Sequence, residues 1–75
     1  MSVYIKKDFD SSIISAVEYR PHNLELAITF VNSGLYYYRA VPEYIYFGLI
    51  EAKSAGTYFN RNIRNVYSKK RWMGV

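Results

Sequence analysis

The residues best suited to chemistry in this chain are cations and tyrosines. Residues 52–75 carry six lysine or arginine residues and no acid, whereas residues 1–51 carry six acids and four basic residues. The chain also contains nine tyrosines. Cations contact phosphates and exposed aromatic rings stack on bases, so this combination favours a polyanionic partner such as nucleic acid. The alternative is that the basic end only keeps the protein soluble.

Tyr36 and Tyr38 are the candidate base-stacking residues. They are two apart on a predicted strand, so their rings share one face of the sheet, whereas Tyr37 points to the opposite face. One of these faces must pack on a helix and the other must meet water or a partner, and the sequence leaves open which. The candidate phosphate-contacting residues are Arg61, Arg64, Lys69, Lys70 and Arg71.

The other reactive residue types are too few to predict an enzyme. The chain has no cysteine and one histidine, His22, so neither a metal site nor histidine-based acid–base catalysis would have enough partners. Glu18 and Glu25 lie on adjacent predicted strands, but paired carboxylates need a pocket that so small a chain seldom encloses. No phosphate-binding glycine loop is present. We therefore expect no catalysis, no metal, no cofactor and no small-molecule substrate.

Length and composition describe one small domain. A chain of 75 residues holds one core at most, and 51% hydrophobic residues is too many for a disordered segment. No apolar run approaches the roughly 20 residues of a membrane span, so no membrane partner is expected. The absence of cysteine fits a reducing compartment, and we expect a cytoplasmic protein.

The elements that must position these residues are strands first and helices second. Alternating apolar residues predict strands over about 13–19, 24–30 and 35–39, joined by short turns that favour an antiparallel meander. Ile13, Val17 and Tyr19 would share the core face of the first strand, with Ile14 as the alternative to Ile13. Residues 2–6 are a candidate fourth strand.

The apolar period then changes to that of a helix. Pro42 suits the first helical position, and the spacing of apolar residues predicts a helix over about 42–54. Gly56 would end it in a left-handed conformation, and Thr57 would cap a short second helix over about 57–65. The expected fold is α+β: a three-stranded meander, with the candidate fourth strand, followed by these two helices. The expected division is 1–10 as an arm or edge strand, 11–67 as the domain and 68–75 as a basic tail.

Several motifs occur in order along residues 11–67. They are Ser11-Ser12 with Ile14, Val17-Glu18-Tyr19, Asn32-Ser33-Gly34, Tyr36-Tyr37-Tyr38, Val41-Pro42, Ser54-Ala55-Gly56-Thr57-Tyr58-Phe59-Asn60, Ile63-Arg64 and Tyr67. As an ordered set they resemble the KTSC domain, which is named for the C-terminus of some lysyl-tRNA synthetases and also occurs as a small stand-alone bacterial or phage protein. The resemblance implies no established activity. It implies RNA binding as the proposed role.

The first predicted helix departs from the family pattern. Tyr44 and Phe47 stand where the family commonly has polar residues, and they are three apart, so they can form one apolar patch. Together with exposed strand edges, this patch gives an alternative to nucleic-acid binding. The chain would then be a protein-interaction module that forms a homodimer or binds a host protein.

Overall fold

The computed structural model describes residues 5–8 and 12–71, with side chains described for residues 12–70. These residues form one antiparallel sheet of five strands in sequential order, with two helices between the fourth and fifth strands. The strands are β1 (Ile5–Asp8), β2 (Ile14–Arg20), β3 (Glu25–Phe30), β4 (Gly34–Tyr38) and β5 (Lys69–Arg71), and the helices are α1 (Glu43–Glu51) and α2 (Ala55–Asn62). The α+β meander followed by two helices is therefore confirmed.

Both edges of the sheet extend beyond the three-stranded meander. β1 pairs with β2, with Ile5 opposite Tyr19, so a further strand is present, but it extends to Asp8, beyond the predicted end at residue 6, and residues 2–4 lie outside the described residues. The expected basic tail is corrected, because Lys69–Arg71 pairs with β4. The Arg39 N–H also donates to the Ser68 carbonyl at 3.0 Å. The pairing satisfies backbone groups along an edge of β4 that would otherwise stay open.

The two helices cover one face of the sheet. Residues that alternate along the central strands point to this face and are buried with residues of both helices. The buried cluster is Ile14, Val17, Tyr19, Leu26, Ile28, Tyr38, Val41, Ile45, Tyr46, Leu49, Ala55, Phe59 and Ile63. The opposite face, called here the open face, carries the alternate residues Ala16, Glu18, Arg20, Ala27, Thr29, Leu35 and Tyr37.

A bulge in β2 decides which isoleucine enters the core. The pairing of β2 with β3 shifts between Ile14 and Ala16, which adds one residue to the β2 side. Ile14 is therefore buried, whereas Ile13 is 47% exposed. A strict period of two from Val17 points instead to Ser15 and Ile13, so the expectation that Ile13 shares the core face is wrong.

The turn before β3 also differs from its expected form. Leu24 was expected to begin the apolar row of the second predicted strand, but its φ is 54° and its side chain is 43% exposed. Its N–H donates to the Pro21 carbonyl, and its own carbonyl accepts from Val41 N–H at 2.8 Å. Leu24 thus belongs to a turn that joins the start of β3 to the segment before α1.

The helix ends are set by capping and close packing. Pro42 is the N-cap of α1 rather than its first residue. Ser54, not Thr57, caps α2, because its hydroxyl accepts the Thr57 N–H at 3.3 Å. Gly56 lies inside α2, where a Cβ would approach within 2.8 Å of Ile13 Cδ1. In the described part of the chain neither helix has the length and apolar character needed to cross a membrane.

Candidate nucleic-acid interface

Tyr36 and Tyr38 share one face of β4, as their spacing predicts, and it is the face that the helices cover. Tyr38 is only 1% exposed, and its ring lies edge-on to Phe59 with a centroid distance of 5.6 Å. Tyr38 therefore belongs to the core and has no ring face to offer to a base, which corrects its assignment as a stacking residue. Tyr36, nearer the start of β4, is half-buried and keeps part of its ring at the surface.

One of the candidate cations, Arg64, acts electrostatically on the Tyr38 hydroxyl. Burial raises the pKa of Tyr38 to about 12, the nearby Tyr36 adds to this effect, and the positive charge of Arg64 opposes it. Arg64 is exposed, and its Nη1 donates to Asn60 Oδ1 at 3.4 Å. Arg64, two residues after the end of α2, therefore places its guanidinium at the border between the buried aromatic cluster and solvent.

Lys69 covers the half-buried ring on β4. Its Nζ lies 5.2 Å from the centroid of the Tyr36 ring, a cation–π contact between neighbouring strands. Phe30 meets the same ring edge-on with a centroid distance of 5.7 Å. The Tyr36 ring thus packs against Phe30 on its core side, and the exposed Lys69 lies over the ring.

Neighbouring residues of β5 divide the predicted cations between the two faces of the sheet. Lys69 pairs with Tyr38, so its side chain projects from the helix-covered face. Lys70 pairs with Tyr37, so its side chain projects from the open face. Tyr37 is half-buried on the open face beside Lys70. The sequence analysis predicts that Tyr37 points to the other face of the sheet from Tyr36 and Tyr38, but it does not include Tyr37 among the candidate site residues. The alternation along the strand was the signal that could have identified it.

These contacts define a surface along β4 and β5 that we call the basic edge: Tyr36, Tyr37, Arg64, Lys69 and Lys70. Two further predicted cations are not placed in it. Arg61 is exposed on α2, one turn before Arg64. Arg71 is opposite Tyr36 in the backbone register, and its side chain lies outside the described residues.

No described glutamate lies on the two strands that form the basic edge. The four described glutamates lie on β2, β3 and α1, so none lies on β4, β5 or α2. Glu25 accepts from Arg20 Nη1 at 2.7 Å, so the carboxylate near Tyr37 is paired with a guanidinium that lies 5.6 Å from the centroid of the Tyr37 ring. Among residues 12–70 no cluster of histidine, cysteine, aspartate and glutamate could hold a metal ion. The described side chains therefore favour contact with anions at the basic edge.

Tyr44 and Phe47 lie on the outer surface of α1. Tyr44 is 70% exposed and Phe47 is 42% exposed. The hydroxyl of Tyr44 is close enough to those of Tyr58 and Tyr67 to add to the rise in their pKa values, which burial causes in the main. Both side chains are thus exposed on α1, and the hydroxyls of Tyr58 and Tyr67 lie on the Tyr44 side.

Comparison with known proteins agrees with this fold. A crystal structure of a KTSC domain protein from Yersinia pestis superimposes with a TM-score of 0.89 and 28% sequence identity, covering 93% of this chain and 99% of that one. No curated protein matches the sequence significantly. The family model of the KTSC domain matches residues 10–67, which is most of the chain. The chain therefore belongs to the KTSC domain family.

Proposed function

We propose that this protein is a non-catalytic nucleic-acid-binding module that prefers single-stranded RNA. The observation that carries the proposal is the position of Lys69 over the Tyr36 ring at 5.2 Å, on an edge that also carries Arg64 and Lys70 and no described glutamate. Single strands are bound by this combination, because aromatic rings stack on unpaired bases while nearby cations contact phosphates.

At Tyr36, replacing the Lys69 cation–π contact by a stacked base is favourable in energy. A surface cation–π contact contributes about 0.5–1 kcal/mol, whereas stacking a base on an aromatic ring contributes about 1–3 kcal/mol. A bound strand can therefore displace Lys69 from the ring, and the released ammonium becomes a phosphate contact. Both groups then contribute to binding.

Salt dependence tests the cations. Replacing Arg64, Lys69 and Lys70 together by Gln should weaken binding to every single-stranded RNA and lower the slope of log K against log salt by about 0.7 per lost contact. Each of the three cations is also replaced singly by Gln. Lys53→Gln, which removes an exposed cation outside the basic edge, is the control for these single variants. Equal slopes for Lys53→Gln and Lys70→Gln would show that only total charge matters.

Tyr36→Leu tests stacking separately. Affinity should fall by roughly fivefold or more, as expected for the loss of about 1–3 kcal/mol of stacking, while the salt slope stays near that of the wild type because stacking releases no counterions. Titrations should compare single-stranded RNA, duplex DNA and an anionic control polymer. If the wild-type protein binds none of the nucleic acids at ~50 mM salt, where electrostatic contacts are strong, the proposed function fails.

The exposed Tyr44 and Phe47 side chains favour a second candidate, self-association or docking of a host protein. Burying an apolar patch on α1 would stabilise a domain whose core is small. Light scattering at ~100 μM, a concentration suited to weak interfaces, should then detect a homodimer that Tyr44→Ser with Phe47→Ser returns to monomer. A monomeric wild type at that concentration would contradict self-association.

A further inference from the structure

A second surface lies on the open face, where a groove of about 250 Å³ crosses the central strands. Its lining residues are Ala16, Val17, Glu18, Arg20, Ala27, Thr29, Leu35 and Tyr37. Small-molecule sites usually measure roughly 300–1,000 Å³, so this groove suits one planar ring system rather than a whole cofactor. Ala16, Ala27 and Thr29 have small side chains, which leaves the space above the sheet open there.

One cross-strand row of side chains places different chemical groups in order along the groove. In the pairing register Glu18 lies between Lys6 and Ala27, Ala27 is opposite Tyr37, and Tyr37 is opposite Lys70. Directly paired residues point to the same face, and neighbouring strands lie about 4.8 Å apart. The row therefore places a carboxylate, a methyl floor, an aromatic ring and an ammonium in order over about 14 Å.

Arg20 fixes one side of the Tyr37 ring. Its Cζ lies 5.6 Å from the ring centroid, and its Nη1 donates to Glu25 Oε1 at 2.7 Å. By the register, Arg20 and Glu25 lie on one side of the Glu18–Tyr37 row, whereas the small residues of the groove lie on the other side. The ion pair occupies the Glu25 carboxylate, so Glu18 supplies the acid that lines the groove.

We propose that this groove takes one guanine base of a single-stranded RNA bound at the basic edge, an inference that rests on the proposed function. Guanine donates N1–H and an N2 amino hydrogen side by side, which matches the two acceptor oxygens of Glu18. The base stacks on Tyr37 over the small floor residues, and Lys70 contacts a neighbouring phosphate. Adenine and cytosine offer a single amino group, and uracil offers one N–H between two carbonyl oxygens, so their match to a carboxylate is poorer.

The test uses uridine oligonucleotides of about eight residues, within the size of single-domain sites, with one central G, A, C or U. The central G should bind the full chain about tenfold more tightly than U, in the range of one good bidentate contact. Glu18→Gln should remove this preference and change binding of the other three oligonucleotides by less than about twofold, because their bases do not use both carboxylate oxygens. Glu43→Gln, an exposed carboxylate on α1, is the matched control and should keep the preference.

The outcomes separate this inference from the proposed function. If all four oligonucleotides bind equally to the wild type, the guanine assignment is overturned while the binding function stands. If none binds, the proposed function fails and the guanine assignment fails with it. Guanosine monophosphate that binds as tightly as the G-containing strand would also overturn the assignment to RNA. Chemical-shift changes at Ala27 and Tyr37 that appear only with the G-containing strand would support it, and thermal unfolding of Glu18→Gln checks that the variant is folded.

Discussion

At the scale of single residues, tyrosine fills three environments in this molecule. Tyr19, Tyr38 and Tyr46 are 0–1% exposed, Tyr36 is half-buried, and Tyr44 is mostly exposed. A buried tyrosine must place its hydroxyl as well as its ring, since an unsatisfied polar group in the core is costly. The Tyr19 hydroxyl does so by donating to the Val41 carbonyl at 2.6 Å. This bond ties β2 to the segment that leads into α1.

Tyr19→Phe should therefore destabilise the fold by about 1–3 kcal/mol, because the buried Val41 carbonyl loses its donor. Urea unfolding followed by circular dichroism measures the change. Tyr44→Phe is the control, since its hydroxyl lies at the surface, and it should leave the unfolding free energy within about 0.5 kcal/mol of the wild type. If the two variants lose equal stability, the Tyr19 hydrogen bond does not hold this junction.

The sequence predicted that Tyr36 and Tyr38 share a face, but it could not decide whether that face was buried. The answer depends on Phe59, which comes from α2 and packs against both Phe30 and Tyr38. Contacts of this kind join residues far apart in the chain, and no local period reports them. The candidate cations were chosen from charge segregation alone. That choice included Lys69 and Lys70, but it could not show that they pair with β4 and point to opposite faces of the sheet.

At the scale of elements, the two helices pack closely because α1 has a glycine at their contact. Gly48 lies in the middle of α1, where the Tyr58 side chain of α2 packs against the helix backbone. A Cβ at position 48 would lie 2.6 Å from Tyr58 Cζ, closer than real Cβ contacts occur. Glycine in a helix interior costs about 0.5–1 kcal/mol relative to alanine, so this packing offsets a local penalty.

Gly48→Ala should accordingly destabilise the protein by about 1–3 kcal/mol, because the Tyr58 ring must move away from α1. The same substitution in a Tyr58→Ala background should instead stabilise it by up to about 1 kcal/mol, since only the helix preference of alanine remains. Denaturant unfolding of the four proteins in this cycle measures the change of sign. A cycle in which Gly48→Ala has the same effect in both backgrounds would contradict the close packing.

Element types were predictable here, whereas their ends depended on tertiary contacts. Periods of two and 3.6 identified β2, β3, β4 and both helices. The strand β5 was missed because Lys69-Lys70-Arg71 has no apolar alternation, and its pairing depends on the open edge of β4. Gly56 is predicted to be a left-handed helix end, but it lies inside α2 with the Ile13 side chain packed against it.

At the scale of the whole molecule, much of the core is built from groups that can ionise. Burial raises the pKa values of Tyr19, Tyr38, Tyr46, Tyr58 and Tyr67. In a 75-residue domain these rings supply apolar area that aliphatic residues alone would have to provide. Their neutral form is part of the folded state, so the stability of the protein is linked to alkaline pH.

The unfolding free energy should therefore fall as pH rises from 10 towards 12. In the unfolded chain a tyrosine loses its proton near the ordinary pKa of 10, whereas Tyr38 in the folded protein keeps its proton to about 12. Below pH 10 both states are protonated and the full stability is present. Above pH 10 the unfolded state binds fewer protons than the folded state, and the equilibrium shifts towards unfolding.

Urea unfolding midpoints measured at intervals between pH 8 and pH 12 would follow this loss, since that range spans the ordinary and the raised pKa. Tyr38→Phe removes the largest of the raised pKa values, so its midpoints should fall less steeply above pH 10 than those of the wild type. Tyr37→Phe is the matched control, because the Tyr37 hydroxyl is not among the causes of these raised pKa values, and its curve should run parallel to the wild type. Lysine deprotonation over the same range affects all three proteins alike, so the comparison isolates Tyr38. A Tyr38→Phe curve parallel to the wild type would show that the alkaline loss of stability arises elsewhere.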